Sequence, residues 1–274
     1  MKEMTLQEVQ KVSLDILKDV HAFCESHNIR YSLAYGTLIG AIRHKGFIPW
    51  DDDIDIVIPR PDFERFCKEY HSAQGYKLYV PESYNNYLTY ARVCDNENTL
   101  VKTNSPWSPE EAGVWIDIFP VDGLPSDDTS FYELVKDVRK IGKIEMRLRN
   151  GKLLKLKDSM GMKHFVFCLV KRLLYFRYDL FSLIHEHLNL ITKHGYDESS
   201  YCGQLCCMDY PEKEHNPKTD FDHFILMPFC DTVFFVMNGY DNILSRYYGD
   251  YMQLPPKEKQ IPPQESYVRF YWKG

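Results

Sequence analysis

The run Trp50-Asp51-Asp52-Asp53-Ile54-Asp55-Ile56-Val57-Ile58 constrains this chain more than any other stretch, because it sets carboxylates into what otherwise reads as a buried strand. Successive strand side chains alternate faces, so Asp51, Asp53 and Asp55 are expected on one face and Ile54, Ile56 and Ile58 on the other. Like charges that close repel and raise one another's pKa unless a cation lies between them. Crowded carboxylate oxygens on a rigid element suit a hard divalent ion, most naturally Mg²⁺. An EF-hand calcium loop does not fit: counted from Asp51, the sixth position is Ile56 where glycine is required, and Pro59 and Pro61 interrupt the rest. An acidic turn on a solvated surface remains open from this run alone.

Its neighbours favour the metal reading. Upstream, residues 31–35 read as a strand that turns at Gly36 into a short helix through Thr37 and Arg43. A glycine there lets backbone approach a ligand, and a helix N-terminus attracts phosphate. Arg43, His44 and Lys45 then add positive charge. Downstream, Val114, Ile116 and Ile118 share one strand face, leaving Asp117 with Trp115 and Phe119 on the other. A carboxylate among bulky apolar side chains is costly to bury unpartnered. Asp117 is therefore a candidate third ligand, with a surface-facing aspartate on an edge strand as the alternative. Arg92 in Tyr90-Ala91-Arg92-Val93 is a further candidate cation for a donor phosphate, or a salt-bridge partner.

The span from Tyr35 through Gly36-Thr37-Leu38-Ile39-Gly40 to Asp51-Asp52-Asp53-Ile54-Asp55 resembles the LicD family of bacterial phosphocholine and related phosphotransferases, whose distant animal relatives are fukutin and fukutin-related protein. The likeness continues through Ile116-Asp117-Ile118-Phe119-Pro120-Val121-Asp122-Gly123 and Tyr248-Gly249-Asp250-Tyr251, and weakens over residues 150–235. It implies an α/β (α+β) nucleotidyltransferase fold of the DNA polymerase β type, a mixed sheet flanked by helices. It implies Gly36 and Thr37 as the phosphate turn and Asp53, Asp55 and Asp117 as catalytic metal ligands for one or two Mg²⁺, with Mn²⁺ as a substitute. Asp51 is expected to support the site and Asp52 to point away from it. Asp122, Asp250 and Lys259 fall in family-like loops that can line the cleft. The implied donor is a CDP-activated alcohol, CDP-choline first, with CMP leaving and the phospho-alcohol passing to a sugar hydroxyl of a lipid-linked glycan, teichoic acid or lipopolysaccharide precursor. Nucleotidyl transfer with release of pyrophosphate, and a non-catalytic nucleotide- or glycan-binding scaffold, are the other two readings. A quaternary ammonium group also suits an aromatic box, for which Tyr87, Trp107 and Trp115 are candidates.

Elsewhere the pattern gives a helix opened by a Thr5–Glu8 capping box and ending near Asn28, a helix from Pro61, and strands near 53–58, 76–80, 87–93 and 113–119. A helix from a Ser130–Glu133 capping box, a long helix over 162–193, a strand over 232–237 and a helix over 240–248 stopped by Gly249 complete the outline. This divides the chain into an N-terminal helix (1–28), a catalytic core (29–125), a basic helical region (126–200) and a C-terminal region packing on the core (201–274). No apolar leader opens the sequence, so the eight cysteines are expected as reduced thiols in a cytoplasmic protein. The spacing of Cys202, Cys206 and Cys207 with His215 and His223 matches no usual zinc pattern. Net charge is −6, yet residues 138–178 are strongly basic with interleaved apolar residues, a composition that suits either peripheral contact with the inner face of a membrane or a core helix with a basic edge. Nucleic acid is not an expected partner, since no binding motif is present.

Overall fold

The computed structural model describes residues 1–81, 88–103, 112–153, 166, 170, 178–207, 210–261 and 268–274. Tyr87 and Trp107 lie outside these residues, as does most of 154–177. In chain order the elements are β1 (Lys2–Glu3), α1 (Leu6–Ser26), β2 (Ser32–Leu33), α2 (Tyr35–His44), β3 (Asp55–Pro59), α3 (Arg60–Glu69), β4 (Lys77–Tyr79), β5 (Ala91–Asp95), β6 (Thr99–Thr103) and β7 (Val114–Leu124). There follow α4 (Asp128–Leu153), α5 (Leu180–Ile191), β8 (Tyr201–Gly203), β9 (Asn216–Pro217), β10 (Phe224–Phe229), β11 (Thr232–Met237), α6 (Tyr240–Tyr248) and β12 (Val268–Trp272).

The main sheet is mixed, ordered β2-β3-β7-β5-β4, with β8 and then β9 added beyond the end of β7. Only the β3–β7 pair is parallel; the others in this sheet are antiparallel. A second sheet, β1-β12-β6, ties the two chain ends together, and β10–β11 form a hairpin. β7 is the longest strand and buries every residue except Asp117, which is half-buried. One apolar cluster runs from Met4 to Phe270 and joins both sheets to the helices.

Local chemistry explains the helices that flank the sheet. In α1 the Thr5 hydroxyl accepts from the Glu8 N–H while the Glu8 carboxylate accepts from the Thr5 N–H, the reciprocal cap the sequence predicts. Its Val9, Val12, Ile16, Leu17, Val20 and Phe23 face is buried against β7 and β5. In α2 a side chain at Gly40 would sit 2.4 Å from the Gly46 carbonyl oxygen, so only glycine lets the following loop close back onto the helix. α6 ends at Gly249, in the left-handed region (φ 71°).

Several expectations are corrected. The strand expected over 31–35 is only two residues, because Tyr35, not Gly36, makes the turn by adopting a left-handed φ of 47°. β3 begins at Asp55, so Asp51 and Asp53 sit in an irregular approach and strand alternation does not set their directions. α4 starts at Asp128, and its N-terminus is capped by Asp127, whose carboxylate accepts from the Ser130 N–H; the Ser130–Glu133 box is not used. The helix expected over 162–193 does not run through its described part: Tyr178 and Asp179 are non-helical, and Asp179 caps a fresh start at Leu180. Strands β1, β6, β8, β9, β10 and β12 are too short or too irregularly patterned to have been expected.

Candidate metal centre and active site

The sheet register builds the core of the site. Asp55 on β3 stands opposite Asp117 on β7, and Asp117 stands opposite Arg92 on β5. Directly paired residues share a sheet face, so Asp55, Asp117 and Arg92 form one row across three strands, with Ile54, Ile56, Ile116 and Ile118 buried beneath. The Asp117 N–H donates to the Ile54 carbonyl at 2.9 Å, which extends the pairing one residue past the row. A surface-facing aspartate on an edge strand is thereby excluded for Asp117, because β7 is central.

Asp117 is held from β5. Arg92 Nε donates to its Oδ1 at 2.5 Å and the other guanidinium nitrogen to Oδ2 at 3.2 Å, with the Trp115 indole N–H donating at 3.4 Å. The guanidinium also lies over the Trp115 ring, 4.4 Å from its centroid. Arg92, entered above as a possible phosphate contact, thus serves Asp117 in this structure. Both side chains are nearly out of solvent, so their charges compensate each other in a poorly screened setting.

The acids that converge most tightly come from the approach to β3. Carboxylate oxygens of Asp51, Asp52 and Asp53 lie within 4.8 Å of one another, the only such group of three or more metal-ligating side chains among the described residues. Asp55 and Asp117 border this group without joining it at that spacing. Asp52, expected to point away, instead contributes to it, because the loop turns where Asp51 N–H donates to the Ile48 carbonyl. Gln10 of α1 anchors the same loop by donating to the Asp51 carbonyl at 2.8 Å. Burial first, then Asp53 and Asp52, push the Asp51 carboxyl up to about 8. Burial, then Asp53, Asp117 and Asp51, push Asp55 well above the ordinary carboxylate range, against the opposing pull of Arg92.

These observations fit a divalent cation. The donor set is all carboxylate oxygen, which hard ions prefer, and its mutual repulsion is what a 2+ charge would relieve. The turn at Tyr35–Thr37 presses on the same acids. A Cβ at Gly36 would lie 2.8 Å from Asp51 Oδ2, and the buried Thr37 hydroxyl accepts from the Asp55 N–H at 2.9 Å. Gly36 and Thr37 are therefore in place beside the acids.

Other expected site residues lie elsewhere. Arg43 donates to the carbonyls of Tyr251 and Gln253 at 2.9 and 3.3 Å and so fastens the C-terminal segment to α2. Lys45 is the left-handed C-cap of α2, and its carbonyl accepts from the Cys230 N–H. Asp122 is fully buried in a two-bond pair with Arg60, at 2.5 and 2.8 Å. Asp250 and Lys259 are exposed. Two groups near the acids escaped the sequence reading. Tyr248 is 46% exposed as a residue, yet its phenol is pushed up by local desolvation of the hydroxyl and then by the field of Asp55, Glu214, Asp51 and Asp53. Glu214 is buried, and burial pushes its carboxyl up to about 7. Glu214 carries no motif; its position depends on chain reversal at β8–β9, which no local pattern announces.

An α/β chain whose central parallel strand pair carries paired carboxylates beside the Gly36–Thr37 turn has the architecture of a group-transfer enzyme. Residues 28–140 match the family model described as LicD/FKTN/FKRP, nucleotidyltransferase domain. The chain is 37% identical, over 98% of its length and 100% of the relative's, to the lipopolysaccharide cholinephosphotransferase LicD of Haemophilus influenzae. Shorter matches, 37% identical over 81 and 73 residues, link it to uncharacterised proteins of Rickettsia typhi and Rickettsia prowazekii and cover about a quarter of each. The chain belongs to the LicD family and is a phosphotransferase. No described helix is long and apolar enough to cross a membrane.

Proposed function

We propose that this protein transfers phosphocholine from CDP-choline to a sugar hydroxyl of a lipopolysaccharide-type acceptor, releasing CMP, with Mg²⁺ held by Asp53 and Asp55 and supported by Asp51 and Asp117. The observation that carries the reading is the row Asp55–Asp117–Arg92 set against the convergent Asp51–Asp53 group. The full-length likeness to an enzyme named for cholinephosphate transfer to lipopolysaccharide supports the donor and acceptor class. The framework is that of a DNA polymerase β-type nucleotidyltransferase, and the protein works at the inner face of the membrane, where a lipid-linked acceptor is presented. The basic stretch 138–178 favours that location, with Lys140, Lys143 and Arg147 on α4.

When bound, a divalent cation here neutralises charge on the donor pyrophosphate and on the departing CMP phosphate. The chain's residues supply position. Thr37 fixes the start of β3 through the Asp55 N–H, and the β3–β7 register sets Asp55 opposite Asp117. Arg92 orients Asp117 by two bonds, leaving its charge compensated until a substrate or ion competes for it. Asp117 would then either help to hold the cation or accept the proton of the acceptor hydroxyl.

Incubation of the purified protein with CDP-choline, Mg²⁺ and lipopolysaccharide lacking phosphocholine, followed by mass spectrometry, tests the reading. Appearance of CMP and of a phosphocholine-bearing acceptor is expected, with neither formed in EDTA. Pyrophosphate from CTP, with no transfer from CDP-choline, would instead identify nucleotidyl transfer.

A further inference from the structure

Tyr35 is strained where strain matters. It is a non-glycine residue with φ 47°, it opens α2 without a side-chain cap, and its next two neighbours touch the acid group through Gly36–Asp51 and Thr37–Asp55. Such a conformation persists only where the surroundings over-determine it. The surroundings come from the far end of the chain. The Tyr35 hydroxyl donates to Glu214 Oε1 at 3.0 Å, and the other oxygen of Glu214 accepts from the Gln204 N–H at 3.0 Å. Tyr247 of α6 supplies a further side-chain hydrogen bond to Glu214, and its ring lies 5.4 Å from that of Tyr35. Phe119, two residues beyond Asp117 on β7, meets the Tyr35 ring edge-on at 6.0 Å.

Glu214 cannot drift. It is 4% exposed, its backbone N–H donates to the Pro211 carbonyl, and its carbonyl accepts from the Asn216 N–H at 3.0 Å. A buried carboxylate is costly unless its acceptors are used, and here both oxygens are bound by donors fixed on separate elements.

We propose that Glu214 is a positioning residue of the metal centre: it holds the Tyr35 phenol, fixes the left-handed turn, and so sets Gly36 and Thr37 against Asp51 and Asp55. The inference rests on reading those acids as the catalytic cation site. It assigns the C-terminal region a direct part in shaping a centre built from the first 120 residues.

The test compares Tyr35→Phe, Glu214→Leu and the double variant by Mn²⁺ titration followed by electron paramagnetic resonance, and by kcat and KM with CDP-choline. Tyr70→Phe, which removes a phenol bonded to Asp19 of α1, serves as a control for generic loss of stability. Each single variant is expected to weaken Mn²⁺ binding by about 10- to 100-fold, the range for residues that orient metal ligands, and to lower kcat more than it changes KM. The double variant is expected to be no worse than the poorer single, since both remove one contact. Tyr70→Phe keeps the wild-type Mn²⁺ affinity. Wild-type affinity in Tyr35→Phe and Glu214→Leu, or additive losses in the double, overturns the positioning role. A wild-type protein that neither binds Mn²⁺ nor turns over CDP-choline overturns the reading of the acids themselves.

Discussion

Replacing Arg92 by methionine keeps the apolar stem of the side chain while deleting its guanidinium and charge. In the native protein the guanidinium and the Asp117 carboxylate are 8% and 13% exposed and share two hydrogen bonds. Removing one member of a buried pair strands the other, which costs about 3–5 kcal/mol. Loss of the stacking of Arg92 on Trp115, 4.4 Å away, adds about 0.5–2 kcal/mol. Against a total stability of about 5–15 kcal/mol, Arg92→Met should leave a protein that folds but melts roughly 6–15 °C lower. Adding Asp117→Asn removes the stranded charge, and the double variant should recover at least about 2 kcal/mol although it has lost more native contacts. Urea unfolding followed by circular dichroism, in EDTA, reads both. An Arg92→Met variant within about 1 kcal/mol of wild type, or a double variant less stable than the single, refutes the argument that this pair compensates a buried charge.

Three further outcomes follow from the same geometry. The native state holds Asp51 protonated up to about pH 8, whereas the unfolded chain releases that proton near 3.8. The folded state therefore binds more protons in between, and metal-free protein should lose stability as pH rises from about 4 to about 8, by up to about 1.4 kcal/mol per pH unit for each such carboxyl. Glu214, raised to about 7, acts in the same direction. Thermal melts in EDTA should show this slope, and Asp51→Asn should flatten it. Mg²⁺ should raise the melting temperature more at pH 8 than at pH 5, because ligation needs the ionised acids; equal stabilisation at both pH values would count against a carboxylate site. Gly40→Ala should cost roughly 1–3 kcal/mol in urea unfolding, since its Cβ would meet the Gly46 carbonyl oxygen at 2.4 Å and the backbone must move; an unchanged midpoint would show that the loop yields freely.

What could be read from the sequence followed from strong local signals. The alternation in Val114–Phe119 put Asp117 opposite a fully apolar face, and the pairing of β3 with β7 bears this out. The Thr5–Glu8 cap and the strand at 232–237 were legible for the same reason, since each is decided by residues within a few positions. The converging directions of Asp51, Asp52 and Asp53 were not, because a loop anchored by Ile48 and by Gln10 of a distant helix sets them rather than a pleat. Arg43 reads as a donor contact by charge alone, yet two carbonyls more than two hundred residues away claim it. Glu214 and its hold on Tyr35 span 179 positions, beyond any periodicity.

The account stands on a divalent cation seated among the acids of β3 and its approach. Crystals grown with Mn²⁺ and CDP-choline should show one or more anomalous peaks within coordination distance of the Asp53 and Asp55 carboxylates, lost in Asp53→Asn crystals. A peak remote from these side chains, or none while the nucleotide is bound, would contradict it.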